Sequence, residues 1–574
     1  MMPDFTPRSI LPAGRSRLLV AVLLLGLLGL AGRAVYLQGM HNGFLQQKGE
    51  SRYSRVIEMS AHRGMITDRH GEPLAISTPV ESVWASPQDM DATSTQIKKL
   101  ADLIGMDAEE VRKRISGPQR DFVYLKRHLP PETAAKVVEL NMSGVFLRRE
   151  FRRYYPAGEL TAHMLGFTDV DDNGQEGIEL AWQDALAGKP GSRRVIKDRK
   201  GRIVEDVESI RAPRPGKDIA LSIDSKIQYL AYRELKQAVE ASKAKAGGIV
   251  VLDAQTGEVL ALANLPVYNP NNRARISGAR ARNRALTDVF EPGSTLKPFT
   301  VAAALEAGGI EPDTIFQTAP GTLTIGRATI RDSHKEGALT VAQVIQKSSN
   351  VGSAKIALSL PPQTLWEMLS HSGFGVSTGS GFPGEVTGRL RPYHTWRPIE
   401  QATMSYGHGI SVSLLQLARA YTLFSTEGEL KPISLLKLDA PVAGERVISR
   451  ATALAVSRML EMVVKPGGTG PRAQISGYRV AGKTGTAHKL EGNGYAKNRY
   501  ISTFVGYAPA SSPRLVIAVM LDEPSAGQYF GGVVAAPVFS QVMAGALRIL
   551  SVPHDAPTNN IVSFPAAPEL QGDV

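Results

Sequence analysis

Cysteine is absent from this chain of 574 residues. Disulfide bonds, thiolate metal sites and cysteine nucleophiles are therefore excluded. A chain without thiols suits an oxidising compartment, where an unpaired thiol is a liability. Internal repeats and low-complexity tracts are also missing, and the 43% hydrophobic and 21% charged residues are typical of globular protein. The length allows roughly three or four domains.

The net charge of +12 is spread along the chain, without a concentrated basic stripe or interleaved aromatic residues. Such a stripe is the usual sequence sign of nucleic-acid binding, so we expect no nucleic-acid partner. The positive charge instead suits an envelope protein that works near anionic lipid or an anionic polymer.

One apolar run near the N-terminus is long enough to cross a membrane. It occupies 18–37, close to the ~20 residues that a helix needs to span a bilayer. Arg8, Arg15 and Arg17 precede it, which predicts a cytoplasmic tail over 1–17 and an exported body. The alternative is a cleavable signal peptide, but the run continues past its small residues without a clear cleavage site. No second run of adequate length follows, so we predict a single-pass protein.

Composition also predicts the domain limits. The stretch 211–217, Arg-Ala-Pro-Arg-Pro-Gly-Lys, is the strongest linker signal in the chain. It separates a predicted non-catalytic domain over 40–212 from a second domain over 217–552. The tail over 553–574 is rich in proline and polar residues, and we predict that it is disordered.

The second domain has predicted strands at both ends and alanine-rich helical segments between them. Gly247–Asp253 and Glu258–Asn264 flank a turn sequence and predict a β-hairpin. Three further strands are predicted over Tyr478–Thr486, Ser502–Ala508 and Arg514–Leu521. This order predicts an α+β fold around a mainly antiparallel sheet.

Three short strings carry the chemistry, and they occur in the order Ser294-Thr295-Leu296-Lys297, Ser348-Ser349-Asn350 and Lys483-Thr484-Gly485-Thr486. Together they indicate the active site of a penicillin-interacting serine acyltransferase. The pattern Ser-x-x-Lys alone is not specific, because it also occurs at 242–245 and 434–437. Only the first copy follows a Pro-Gly turn and precedes a segment of helical composition.

In the first string, Ser294 is predicted to begin a helix, where it gains the positive end and free backbone N–H groups. Lys297 then lies one turn later on the same face. An ammonium cannot accept a proton, so Lys297 must be neutral to act as a base, and burial or neighbouring cations would lower its pKa. The alternative is a plain helix cap beside a solvated lysine.

In the second string, Ser348 and Asn350 fall between two helix-like segments. The Ser348 hydroxyl can relay a proton between Lys297 and a leaving amine. Asn350 has both donors and an acceptor, so it can orient Lys297 or hold a substrate amide. The alternative is a simple turn between helices with an N-cap.

The third string is predicted to lie in a strand. Lys483 suits electrostatic attraction, and the hydroxyls of Thr484 and Thr486 can donate hydrogen bonds to a substrate carboxylate. Gly485 lets the backbone of a ligand approach closely. The backbone N–H groups of Ser294 and Thr486 can form an oxyanion hole. The alternative is an exposed edge strand with ordinary polar residues.

These strings and their surroundings resemble the class B penicillin-binding proteins, most closely the division-specific type. The resemblance runs from the anchor to Val552. It includes RGMITDRHGEPLA over 63–75, RYYPAG over 153–158, ATMSYGHG over 402–409, GGTG over 467–470 and FVGYAP over 504–509. It implies a membrane-anchored pedestal domain over 40–212, followed by a penicillin-binding transpeptidase domain that faces the periplasm from the inner membrane.

The resemblance also implies a peptidoglycan D,D-transpeptidase that joins stem peptides during septal cell-wall synthesis. Ser294 would attack the penultimate D-Ala of a stem ending in D-Ala-D-Ala, and an amine of a neighbouring stem would then take the acyl group. Tyr406, Gly407 and Gly409 would line the cleft, and β-lactams would acylate the enzyme. Neither a cofactor nor a metal is implied. A membrane glycan polymerase and other division proteins are the implied partners.

Four other functions remain open at this point. An elongation-type transpeptidase differs chiefly in its cellular partner. A serine β-lactamase shares the three strings, but it is usually compact and lacks an anchored pedestal. A DD-carboxypeptidase shares the acylation chemistry and transfers the acyl group to water. A β-lactam-binding sensor or scaffold usually has more membrane spans or an output domain.

Overall fold

The computed structural model describes residues 13–37, 54–116, 122–197, 203–272, 278–492 and 494–561. The first element is an exposed helix, Ala13–Val35, in which the most apolar window of 18 residues has a mean hydropathy of 2.4. This helix fits a membrane anchor and covers most of the predicted span at 18–37. Residues 1–12 of the predicted cytoplasmic tail lie outside the described residues. A second apolar stretch, Gly531–Ile549, is half buried in the fold and is a core element.

The chain forms two compact units, each built from separate stretches of sequence. The first unit comprises Met1–His62, Pro79–Phe151 and Lys189–Pro215, and the second comprises Arg63–Thr78, Arg152–Gly188 and Gly216–Val574. The boundary predicted at 212–217 coincides with one of these divisions. The stretches 63–78 and 152–188, which composition assigned to the non-catalytic domain, belong to the second compact unit.

In the first unit, a three-stranded antiparallel sheet has the order Ser54–Met59, Gly191–Lys197 and Ile203–Arg211. The latter half of Pro73–Ala85 pairs with Val123–Leu129, and Val145–Tyr154 also pairs with Pro73–Ala85. The helices of this unit are Ser94–Ile104, Ala108–Ile115 and Pro131–Glu139. Apolar side chains from these helices and strands, including Val83, Leu100, Ile104, Leu125 and Val137, form its core.

The polar strings over 63–75 and 153–158 meet inside the second unit. The buried carboxylate of Glu179 accepts hydrogen bonds from Arg63 Nε at 2.7 Å and from Arg153 Nε at 2.6 Å. Asp68 accepts hydrogen bonds from the His70 backbone N–H and the Ser225 hydroxyl. A buried carboxylate with two cationic partners is strongly held, because removing one partner leaves an uncompensated charge. These contacts tie the segment after Arg63 to the unit that contains the three strings.

The centre of the second unit is a five-stranded antiparallel sheet, which confirms the predicted α+β class. Its order is Val259–Leu265, Ala246–Asp253, Leu515–Asp522, Gly494–Ala508 and Ala481–Glu491. The hairpin predicted near 247–264 is confirmed. The strands predicted over 478–486 and 502–508 are observed as Ala481–Glu491 and Gly494–Ala508. The first ends later and the second begins earlier than predicted, because the hairpin that joins them extends beyond the rest of the sheet.

Helices cover both faces of this sheet, which explains its nearly continuous apolar strands. Successive side chains alternate between the faces: Ile249 and Val251 join one cluster, while Val250 and Leu252 join the other. One face packs on Ser225–Ser242 and Ala536–Ile549. The other face packs on helices that include those beside the first and second strings. The main helices of this part of the unit are Lys297–Glu306, Val341–Lys347, Asn350–Leu358, Pro362–His371, Pro398–Met404, Leu414–Ala420 and Arg450–Val464.

The C-terminal segment follows the last helix. Of the tail predicted to be disordered, the structure describes the part up to Ile561. Within that part, Asp555 accepts a hydrogen bond from the Arg479 backbone N–H at 2.7 Å, and the Ser476 hydroxyl donates to the Thr558 carbonyl at 2.6 Å. These contacts give 554–561 defined partners, which composition alone did not indicate. Residues 562–574 lie outside the described residues.

Candidate active site

The first string forms a turn that leads directly into a helix. Gly293–Leu296 is a 3₁₀ turn, and Lys297–Glu306 continues it as an α-helix. Pro298 is tolerated because it lies in the first helical turn, where no backbone donor is lost from the ladder. Ser294 is half buried, whereas Lys297 has no exposed surface. The prediction that Ser294 begins a helix is therefore confirmed by the structure.

The amine of Lys297 is the centre of the site. Its Nζ lies 3.0 Å from Ser294 Oγ, 3.1 Å from Ser348 Oγ and 2.8 Å from Asn350 Oδ1, and it also contacts the Ser348 carbonyl. Burial lowers the pKa of Lys297 well below its ordinary value, and the neighbouring Lys483 lowers it further. A neutral amine has a lone pair that can accept the Ser294 proton.

The second string is a turn between two helices, as its composition suggested. Ser348 ends Val341–Lys347 in a left-handed conformation with φ of 62°, and Ser349 caps Asn350–Leu358. The Ser348 hydroxyl lies between two amines, 3.1 Å from Lys297 Nζ and 2.9 Å from Lys483 Nζ. A hydroxyl that both donates and accepts can move a proton between these groups. The simple-turn alternative leaves this convergence unexplained.

The third string lies in the edge strand Ala481–Glu491, which pairs on one side with Gly494–Ala508. Lys483 is fully buried, and burial lowers its pKa to about 7. The Thr484 hydroxyl is 2.7 Å from the Thr469 hydroxyl, and Thr486 Oγ1 accepts a hydrogen bond from the Gly531 N–H at 3.0 Å. Both threonines are therefore held by neighbouring residues, and Thr486 is the more exposed of the two.

The packing around Gly485 gives a reason for a glycine at this position in addition to the predicted approach of a ligand. A Cβ atom at this position would lie 2.3 Å from Thr503 Oγ1 and 2.9 Å from the Pro292 carbonyl oxygen. The space beside Gly485 is therefore filled by the adjoining strand and by the turn before Ser294. The glycine lets the edge strand pack closely on the nucleophile turn, so its absent side chain serves packing within the protein.

Gly407 supports the same turn from another direction. It has φ of +85°, and a Cβ atom there would lie 2.3 Å from the Gly293 carbonyl oxygen. The Gly409 N–H donates to Glu291 Oε1 at 2.8 Å. Tyr406 is buried against apolar neighbours that include Val351 and Ala354. Tyr406 and Gly407 are thus buried among the elements of the site, whereas Gly409 is exposed, and their lining of the cleft stays a prediction.

Several residues near the site were given no role by the sequence analysis. Glu291 accepts a hydrogen bond from the Tyr495 hydroxyl at 3.0 Å, and burial raises the pKa of Glu291. The His408 ring lies 5.7 Å from the Tyr495 ring, and burial lowers the pKa of His408 to about 4. Asp332 lies beside the Ser348-Ser349-Asn350 turn. The available hints were the position of Glu291 directly before the Pro-Gly turn and that of His408 in the string over 402–409.

Within the described residues, no group of three or more His, Asp or Glu side chains has a spacing suited to a metal ion. The arrangement that is present comprises a half-buried serine, a buried amine, a bridging hydroxyl and a second buried amine. It can activate a hydroxyl nucleophile, return its proton to a leaving group and attract an anionic ligand.

Comparisons with known proteins agree with this arrangement. A family model described as the penicillin binding protein transpeptidase domain matches residues 247–544, and one described as the penicillin-binding protein dimerisation domain matches 58–221. The chain is 44% identical to peptidoglycan D,D-transpeptidase FtsI of Escherichia coli K12, over 95% of this chain and 93% of that protein. It is also 44% identical to a probable peptidoglycan D,D-transpeptidase PenA of Neisseria meningitidis serogroup A, over 94% of this chain and 92% of that protein.

Two solved structures are similar as well. The apo TP domain of Burkholderia pseudomallei penicillin-binding protein 3 is 51% identical, has a TM-score of 0.55 and covers 59% of this chain and 98% of its own. A peptidoglycan synthetase from Bifidobacterium adolescentis is 26% identical, has a TM-score of 0.70 and covers 88% of this chain and 99% of its own. The chain therefore belongs to the class B penicillin-binding proteins, with a dimerisation domain followed by a transpeptidase domain.

Proposed function

We propose that this protein is a peptidoglycan D,D-transpeptidase that works through an acyl-enzyme on Ser294. The observation that carries the proposal is the 3.0 Å contact between Ser294 Oγ and the fully buried amine of Lys297. Relatives that are 44% identical over most of their length are named peptidoglycan D,D-transpeptidases. The contact supplies the activated nucleophile that such a reaction needs.

In the acylation step, neutral Lys297 accepts the Ser294 proton while Ser294 Oγ attacks the carbonyl carbon of the penultimate D-Ala. The backbone N–H groups of Ser294 and Thr486 stabilise the negative charge on the carbonyl oxygen. The C–N bond to the terminal D-Ala then breaks. Ser348 passes the proton from Lys297 to the leaving amine, which its position between Lys297 and Lys483 supports. Asn350 holds the Lys297 amine in place.

In the second step, an amine of a neighbouring stem peptide attacks the acyl carbon. Lys297, neutral again after the first step, accepts a proton from this amine and returns it to Ser294 Oγ as the bond between the acyl carbon and Ser294 breaks. A new amide bond joins the two stems. The covalent intermediate thus divides one difficult displacement into two easier acyl transfers.

Lys483, Thr484 and Thr486 receive the substrate carboxylate. Buried Lys483 offers positive charge in a site with little water, where electrostatic attraction is strong. Thr486 is partly exposed, which supports a direct contact between its hydroxyl and a ligand. A β-lactam carries a comparable carboxylate beside a reactive carbonyl, so it enters as a mimic of D-Ala-D-Ala and leaves Ser294 acylated.

The cellular setting belongs to the same proposal. The arginines before the apolar helix favour a cytoplasmic tail over 1–17, an anchor over 18–37 and a body in the periplasm. A pedestal over 40–212 precedes the transpeptidase domain over 217–552. Septal synthesis is the role that the similarity to FtsI supports. A membrane glycan polymerase and other division proteins are the partners that we propose from the family resemblance.

Mass spectrometry after exposure to benzylpenicillin tests the proposal. We expect one covalent adduct, located on the peptide that contains Ser294, and none on the Ser294→Ala protein. An adduct on Ser242 or Ser434 would overturn the assignment. The lifetime of the adduct and the product formed from a stem peptide then separate the related activities. A long-lived penicillin adduct, together with a cross-linked product when an amine acceptor is present, supports transpeptidation. Rapid hydrolysis of the adduct would instead identify a β-lactamase, and exclusive transfer from a stem peptide to water would identify a carboxypeptidase.

A further inference from the structure

A short loop brings an unpredicted carboxylate to the second string. The strands Ala328–Arg331 and Ala338–Thr340 flank this loop, and Asp332 is its first residue. The Asp332 carboxylate accepts hydrogen bonds from Ser349 Oγ at 2.6 Å and from the Val351 N–H at 2.9 Å, and it also accepts from the Asn350 N–H. Three donors on one carboxylate fix the turn from which the helix Asn350–Leu358 begins.

The same loop also fixes the side-chain amide of Asn350. Its Nδ2 donates to the Arg331 carbonyl at 2.9 Å, while its Oδ1 accepts from Lys297 Nζ at 2.8 Å. An amide has one donor end and one acceptor end, so holding the donor end turns the acceptor toward Lys297. Residues 331 and 332 thus control both the backbone and the side-chain orientation of Asn350.

We propose that Asp332 is a positioning residue for the general base: through Asn350 it holds the Lys297 amine in reach of Ser294. This inference rests on the proposed acyl-transfer function and extends it to a loop that no sequence string contains. Asp332 itself touches neither Ser294 nor Lys297 by hydrogen bonding among the described residues. Its effect is transmitted through the Asn350 amide.

The charge of Asp332 adds a second, measurable effect. The charged or titratable groups that face Lys297 are Lys483 from the edge strand, His408 from the turn after Pro398–Met404, and Asp332. Burial and Lys483 lower the Lys297 pKa, whereas the Asp332 carboxylate raises it. Lys297 must be neutral to act, so activity falls when the pH drops below its pKa. Removing the carboxylate should therefore move the acidic limb of the rate profile to lower pH.

The test measures acylation of the full-length protein by a fluorescent penicillin across a series of pH values. For Asp332→Asn we expect a rate lower by about 10²-fold, since a small displacement of the base is costly, and an acidic limb shifted to lower pH. Asp332→Glu keeps the charge but moves the carboxylate. It should lose rate while its acidic limb stays at the wild-type position.

Asp107→Asn is the matched control. Asp107 also caps a helix, accepting from the Glu109 N–H at 2.9 Å and the Glu110 N–H at 3.2 Å, and it belongs to the other compact unit. This variant should keep both the wild-type acylation rate and the wild-type acidic limb of the pH profile. Suppose that the wild type is acylated at Ser294 and that Asp332→Asn keeps both the acylation rate and the acidic limb of the pH profile. This result would overturn the positioning role of Asp332 but not the acyl-transfer function. A lower rate with an unmoved limb in Asp332→Asn, explained by a smaller folded fraction, would also overturn it. Absence of a Ser294 adduct in the wild type would overturn the acyl-transfer function itself.

Discussion

Two copies of the same four-letter pattern show how differently one spacing can be used. In the first, Lys297 is fully buried and reaches Ser294 at 3.0 Å. In the second, the Lys245 side chain is 66% exposed and pairs with Glu523 at 3.5 Å. The Ser242 hydroxyl donates to a carbonyl of its own helix instead. Serine and lysine three residues apart thus meet in one place and separate in the other.

The cause of this difference is the position of each serine in its helix. Ser294 precedes Lys297–Glu306, so the lysine lies on the first helical turn, near the serine. Ser242 is the last residue of its helix, and Lys243 follows in a left-handed conformation with φ of 49°. The chain therefore turns away before Lys245. A serine-lysine pair at this spacing is brought together when the helix begins at the serine and not when it ends there.

The largest effect is expected when the lysine of each copy, Lys297 or Lys245, is replaced. Lys297→Gln should lower the rate of acylation by a labelled penicillin about 10²- to 10⁴-fold, since general base catalysis contributes on that order. Lys245→Gln should leave the rate unchanged, because Lys245 is exposed and its described ion pair is at the surface. Thermal unfolding of both proteins checks that they are folded. Equal losses in the two variants would contradict the distinction drawn between the two copies.

Much of the site was predictable from sequence because each string is local. The nucleophile turn, the turn at Ser348 and the edge strand at Lys483 each depend on a few consecutive residues. The hairpin and the α+β class follow from alternating apolar strands around alanine-rich helices, which are also local patterns. Their convergence on Lys297 was inferred from the order of the strings and is explained by the structure through three contacts.

Contacts between distant residues were not predictable in this way. Tyr495 reaches Glu291 across 204 positions, and Asp332 belongs to no recognisable string. The close packing of Gly485 against Thr503 of the neighbouring strand was not predicted either. The assembly of each compact unit from separate stretches also depends on contacts between distant residues. For example, Arg63 binds Glu179, which lies 116 positions away. Composition describes neighbours along the chain, whereas these features arise from packing between elements.

The second test uses the pH dependence of β-lactam binding to distinguish the roles of the two buried lysines. The proposed base Lys297 must be neutral, whereas Lys483 must be charged to attract a carboxylate. Burial lowers the Lys483 pKa to about 7, so its positive charge is lost as the pH rises through that value. The KM for a carboxylate-bearing β-lactam should then rise about tenfold, which corresponds to loss of about 1.4 kcal/mol of binding. A neutral ester of the same β-lactam should show no such rise, and identical pH profiles for the two compounds would contradict this role of Lys483.

The smallest expected effect is at the serine of the second copy. Ser242 Oγ donates at 2.6 Å to the Ala238 carbonyl, a contact within one helix. Its backbone carbonyl accepts from Ser525 and Ala526, and substitution of the side chain leaves those bonds in place. Ser242→Ala loses one hydroxyl contact but gains helix propensity, so the free energy of unfolding in urea should change by less than about 1 kcal/mol. Labelling by penicillin should be complete, in contrast to the Ser294→Ala protein, because Ser242 touches no lysine amine. Loss of labelling in a folded Ser242→Ala protein would mean that the two copies are not functionally separate.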